Sequence, residues 1–242
     1  MRTKNFYRNI LLILALPVFF FSCNEEQVEQ EFELKVDAYI VKKKIDDELR
    51  FANAYFAYGT KAIKMATVTP PDLAGNQVEL ESTESTPTVF YKEPEMGDYT
   101  NMYPAQGEYV FDVESKDGEV LQQADMMEAG ALEVPEITEA VYHSDVQSMT
   151  VSWDSAQDAN GFVVKLLNQN REVIFVSYTL IASADEYEIN QASGNWDGTA
   201  YSGEDYILQI QAFTYESSAT EDNKLYNIKE VAIAEKEIKW GS

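Results

Sequence analysis

Along most of this chain apolar residues recur at every second position, and that period is the strongest constraint on its fold. In Gly107 to Glu114, GEYVFDVE, Tyr109, Phe111 and Val113 point one way and Val110, Asp112 and Glu114 the other. In Lys61 to Val68, Ile63, Met65 and Thr67 oppose Ala62, Lys64, Ala66 and Val68. In Tyr206 to Ala212, Leu208, Ile210 and Ala212 oppose Gln209 and Gln211. Successive side chains of an extended strand leave on opposite faces, so this period, carried by β-branched and aromatic residues, means half-buried strands. No segment sustains helical periodicity. Asp46 to Tyr58 comes nearest, with Leu49, Ala52, Phe56 and Ala57 on a shared helical face. That run is short and tyrosine-rich, and is read as a strand. The expected fold class is all-β.

Composition removes several functions. The single cysteine forbids an internal disulfide and a zinc site built on several thiolates, and the single histidine forbids a multi-histidine metal site. A net charge of −24 argues against nucleic acid as a partner, because phosphates would be repelled. No glycine-rich phosphate loop exists. His143 stands beside Ser144 and Asp145, but a catalytic triad converges from separate elements, so this is a turn histidine. Acidic pairs are too frequent to single out a glycosidase pair. The chain is expected to be no enzyme, with no catalytic residue, no cofactor and no metal among its assigned sites. A minor alternative places calcium in two loops, one holding Asp154 and Asp158, the other Asp197, Glu204 and Asp205.

The N-terminus reads as an export signal over residues 1–22. Arg2, Lys4 and Arg8 precede the twelve apolar residues Ile10 to Phe21, a run too short to span a bilayer. It ends in Ser22-Cys23. A small residue before the only cysteine, at the end of such a run, resembles the lipobox of bacterial lipoproteins, departing from it at Phe20 and Phe21, where leucine and a small residue are usual. The resemblance implies cleavage before Cys23 and its acylation, palmitate included. Glu25-Glu26 just after the cysteine resembles the surface-display signal of Bacteroidetes lipoproteins. The implied address is the outer membrane, lipid-anchored and exposed on the cell surface. The alternative is an ordinary secretory signal that happens to hold a cysteine. Losing three basic and no acidic residues leaves the mature chain more acidic still.

Beyond the signal, residues 23–32 read as an acidic tether. Residues 33–127 are expected to form a β-sandwich, 128–136 a linker, and 137–242 a second sandwich. Lys116-Asp117-Gly118 after the GEYVFDVE strand is a hairpin signal, and Pro70-Pro71 ends the strand before it. Seven strands are read in the second region, approximately ITEAVYH, SMTVSW, GFVVKLL, EVIFVSYTL, EYEIN, DYILQIQAF and YNIKEVAIAEKEIKW. Lys42-Lys43-Lys44 is read as an edge-strand device against aggregation.

The second region resembles a fibronectin type III domain. Trp153 closes SMTVSW; Asp158 to Phe162 resembles the turn into the family's third strand; Tyr206 to Ala212 resembles its sixth strand, preceded by a glycine-containing turn at Ser202 to Asp205. Ala200 departs from the usual leucine, and a loop, Ser193 to Ser202, is inserted nearby. The resemblance implies a sandwich with Trp153 buried between its sheets, and says little of function.

The candidate ligand-binding residues are aromatic and lie in loops. Trp196 and Tyr201 sit in SGNWDGTAYS, and Tyr99 and Tyr103 in the loop from Asp98 to Tyr103. Aromatic faces on loops suit sugar rings or partner proteins. The alternative for Trp196 is that it folds back over its own sandwich. The expected role is a surface binding module, for a glycan or a surface protein, with a structural or adhesion spacer as the alternative.

Overall fold

The computed structural model describes residues 31–72, 75–82, 85–154 and 156–241. The signal, Cys23 and all of the tether but Glu31 and Phe32 lie outside the described residues.

Seven strands come from the first region: β1 (Leu34–Ile45), β2 (Glu48–Gly59), β3 (Ile63–Thr69), β4 (Val78–Glu79), β5 (Val89–Lys92), β6 (Gly107–Ser115) and β7 (Val120–Met127). The segment read against a helix is the twelve-residue strand β2. It turns back from β1 through Asp46 and Asp47, whose φ angles of 51° and 62° make the two-residue hairpin that matches strand twist. β3 stops at Thr69, before the proline pair, and β6 returns into β7 through the turn at Lys116 to Gly118. β4, β3, β6 and β7 form one sheet in that order. It faces β1, β2 and β5 across a core holding Ile40, Tyr109 and Phe111.

The alternation expected for β3 is broken. A register shift between Ile63 and Met65 lets Ile63, Ala66 and Val68 all be buried, while Met65 is exposed. An extra residue in one strand inverts the faces beyond it.

Nine strands follow: β8 (Glu136–His143), β9 (Ser148–Asp154), β10 (Gly161–Leu167), β11 (Val173–Val176), β12 (Leu180–Ile181), β13 (Glu186–Ile189), β14 (Asn195–Trp196), β15 (Asp205–Tyr215) and β16 (Ile228–Lys239). β8, β9 and β13 form a three-stranded sheet; β11, β10, β15 and β16 run side by side in another. Trp153 is 2% exposed between them, its ring centroid 5.5 Å from that of Phe162. Leu208, Ile210 and Ala212 are wholly buried. Gly161 opens β10 because a Cβ there would stand 2.5 Å from the Leu180 carbonyl oxygen. The segment EVIFVSYTL is split into β11 and β12, and the inserted loop contributes β14, which pairs with the free edge of β11.

Each half therefore places its first, second and fifth principal strands in one sheet and its third, fourth, sixth and seventh in the other. The two sandwiches also share a sheet. β16 pairs in parallel with β1, Ile40 opposite Glu230 and Lys43 opposite Ile233. One nine-stranded sheet thus runs through both halves, in the order β14-β11-β10-β15-β16-β1-β2-β5, with β12 pairing to β10.

Candidate functional site

The β1–β16 seam carries the most constrained polar group among the described residues. Glu230 on β16 is wholly buried. Its carboxylate accepts from Lys42 Nζ at 3.3 Å, from the Tyr103 hydroxyl at 3.0 Å and from the Leu132 backbone N–H at 2.9 Å. The Tyr103 hydroxyl in turn accepts the Gly130 N–H at 2.9 Å. One side chain of the second sandwich thereby holds the first sandwich through Lys42 and Tyr103 and the connecting segment through Leu132. Gly130 has no room for a side chain, because a Cβ would overlap the Glu230 carboxylate. Leu132, 2% exposed, packs into the second core.

Reading Lys42-Lys43-Lys44 as an edge device is corrected here. β1 is interior, flanked by β2 and β16, so its lysines do not guard a free edge. Lys42 and Lys43 are each 5% exposed, and only Lys44 reaches solvent. Lys42 neutralises Glu230; Lys43 lies 4.3 Å from the Tyr99 ring centroid and 2.9 Å from Met96 Sδ.

Lys43 belongs to a groove of about 360 Å³ on the outer face of the shared sheet. Val41, Ala54 and Ile233 form its apolar floor, and the loop holding Met96 and Tyr99 forms one wall. Burial lowers the affinity of Lys43 and Lys165 for their protons, against a weaker opposing pull from nearby carboxylates. Burial pushes the Glu235 carboxyl up, but hydrogen bonds from Arg171 and Gln209 and the charges of Lys43 and Arg171 hold it below its ordinary range. The groove is a mixed-charge cleft across the seam.

The four aromatic candidates have different surroundings. Tyr99 alone lines the groove, its hydroxyl proton held well above the usual range by burial and then by Glu235. Tyr103 has its hydroxyl engaged by Glu230 and Gly130, with its pKa pushed up to about 12, first by burial. Trp196 folds over its own sandwich: its ring lies 4.8 Å from that of Phe175 and 6.1 Å from that of Trp240, and its Nε1–H donates to the Asn190 carbonyl at 3.0 Å. Tyr201 is 66% exposed. His143 ends β8, exposed, with Nε2 3.0 Å from the Thr150 hydroxyl.

Asp197, Glu204 and Asp205, the three carboxylates considered together in one loop for calcium, do not gather within reach of one ion. Among the described residues, the acidic groups that gather as three are Asp37, Asp125 and Glu216. Alternation flagged none of these, nor Glu230. A charged residue within or just beyond a strand was the only signal they offered.

No protein-family model matches the chain, and no curated protein matches it. Solved structures do. A two-domain fibronectin type III segment of chicken tenascin shares 13% identity over 77% of this chain and 91% of that one, with a TM-score of 0.29. The BSP domain of a biofilm-associated protein shares 14% over 84% of this chain and 29% of that one, with a TM-score of 0.25. A tetra-tandem repeat from the extending region of a large adhesion protein shares 10% over 85% and 49%, with a TM-score of 0.25. Superpositions this loose carry no argument; the strand orders do. The chain is an all-β protein of two tandem fibronectin type III-like sandwiches joined through one sheet.

Proposed function

We propose that this chain is a non-catalytic spacer of the cell surface, a rigid two-sandwich rod element in an adhesive or structural assembly, anchored by acylated Cys23. The observation that carries the reading is the shared sheet. A flexible tandem of binding modules needs no parallel strand pairing or buried ion pair between its sandwiches, whereas a spacer that transmits position does. The acidic surface supports solubility and repels anionic membrane without specifying a partner. The sequence from Arg2 to Glu26 supports the anchor and the surface address. Glycan capture is the second reading. The groove beside Tyr99 favours it, while the packing of Trp196 weighs against its starting point in the inserted loop.

Two assays run together test this. In cells, deletion of the gene and Cys23→Ala should both reduce surface attachment, and labelled palmitate should enter the parent but not the Cys23→Ala chain. On a polysaccharide panel, the purified chain should be retained nowhere. Specific retention by one polysaccharide, lost on Tyr99→Ala, would replace the spacer by the glycan reading.

A further inference from the structure

Asp37 on β1, Asp125 on β7 and Glu216 just after β15 bring one carboxylate oxygen each within 4.8 Å of one another. Asp37 is 1% exposed. Its Oδ2 accepts the Ile228 N–H at 3.0 Å, while its Oδ1 has no hydrogen-bond partner. Asp125 is oriented in the same way, its Oδ2 accepting the Ala38 N–H at 2.8 Å. Backbone groups on β1 and β16 thus aim two carboxylates at one place and leave a buried oxygen there unsatisfied. Orphaned buried acceptors are costly, and three carboxylates that close cannot all be ionised without a counter-charge. The basic group that acts on Glu216 is Lys229, which also stands 3.8 Å from a fourth carboxylate, Glu128.

We propose that Asp37, Asp125 and Glu216 bind a calcium ion that ties the first sandwich to the second. Calcium takes oxygen ligands at about 2.3–2.6 Å, so oxygens up to about 5 Å apart fit one ion, and its irregular shell accepts waters in the remaining positions. Magnesium demands a tighter octahedron, and zinc prefers nitrogen and sulfur. All three carboxyls hold their protons more tightly than usual, each first through burial, and Asp37 and Glu216 also through neighbouring carboxylates; Glu216 is pushed up to about 7. A bound dication would relieve that repulsion. The site joins β1 and β7 to the segment between β15 and β16, the same two sandwiches that Glu230 joins. It goes beyond the spacer reading, since the ion can bind whatever the chain does on the cell.

The test is calorimetric titration of the EGTA-treated full chain with calcium, alongside thermal unfolding with and without about 5 mM calcium, which spans weak extracellular sites. The expected result is one binding event per chain, a rise of several degrees in Tm and a smaller rise with magnesium. Glu216→Gln, an isosteric change at a half-buried position, should weaken binding by about tenfold or more, since affinity follows ligand charge. Asp154→Asn, at the end of β9 and outside the cluster, should bind as the parent does. No heat and no Tm shift in the parent would overturn the proposal and leave a shared proton among the carboxyls. Equal responses of parent and Glu216→Gln, or to calcium and magnesium, would overturn it as well.

Discussion

Glu230 shows how much of the seam's strength can rest on one side chain. A wholly buried carboxylate is tolerated only because an ammonium, a hydroxyl and a backbone N–H all point at it. Truncating it strands the Lys42 ammonium in a dry site, so Glu230→Ala should cost about 3–5 kcal/mol in urea unfolding. Lys42→Met in that background should restore part of the loss, because it removes the stranded charge. Strictly additive effects in the double-mutant cycle would show that the two groups are not coupled. The sequence gives no local sign of this arrangement: Glu230 lies 188 residues from Lys42. Trp153 is the opposite case. It closes an alternating run at the position where a sandwich needs a large apolar body, and it is buried as that pattern requires.

At the scale of elements, alternation located the strands but not their neighbours. GFVVKLL is observed as β10, residue for residue. β14 was hidden in a loop rich in small polar residues, because its pairing to β11 is made by backbone, to which a side-chain pattern is blind. The bulge in β3 was hidden for a related reason: one extra residue inverts the faces and leaves the composition unchanged. The lysines of β1 were misread because alternation cannot tell an edge strand from an interior one. Once β1 is interior, Lys43 is held over Tyr99, and Glu235 acquires its basic surroundings. The consequence for pH follows from the direction of that shift. A carboxyl whose folded pKa is below its unfolded one adds stability above the unfolded value, near 4.3, and loses it as pH falls through the folded value. Glu235→Gln should therefore lower Tm modestly at pH 7, and the gap between variant and parent should close on acidification to about pH 3. A gap independent of pH would mean that the carboxylate's charge is not what matters.

For the whole molecule, two sandwiches of the same strand order are fused side by side, the first strand of one paired with the last strand of the other. Fold class and the second sandwich were legible because alternation and Trp153 are local. The fusion was not, since parallel pairing between strands at opposite ends of a chain leaves no short-range trace. The fusion has a clear thermodynamic meaning. If β1–β16 pairing and the Glu230 contacts join the halves, neither should unfold alone. The sequence supplies the probe. All three tryptophans, Trp153, Trp196 and Trp240, lie in the second half and none in the first. Urea unfolding of the full chain, followed at once by tryptophan fluorescence and by hydrogen exchange of the β6 segment Tyr109–Val113, reads the two halves separately. The account predicts coincident midpoints for the two signals. Loss of protection in β6 at a distinctly lower urea concentration than the fluorescence change, or the reverse, would contradict it.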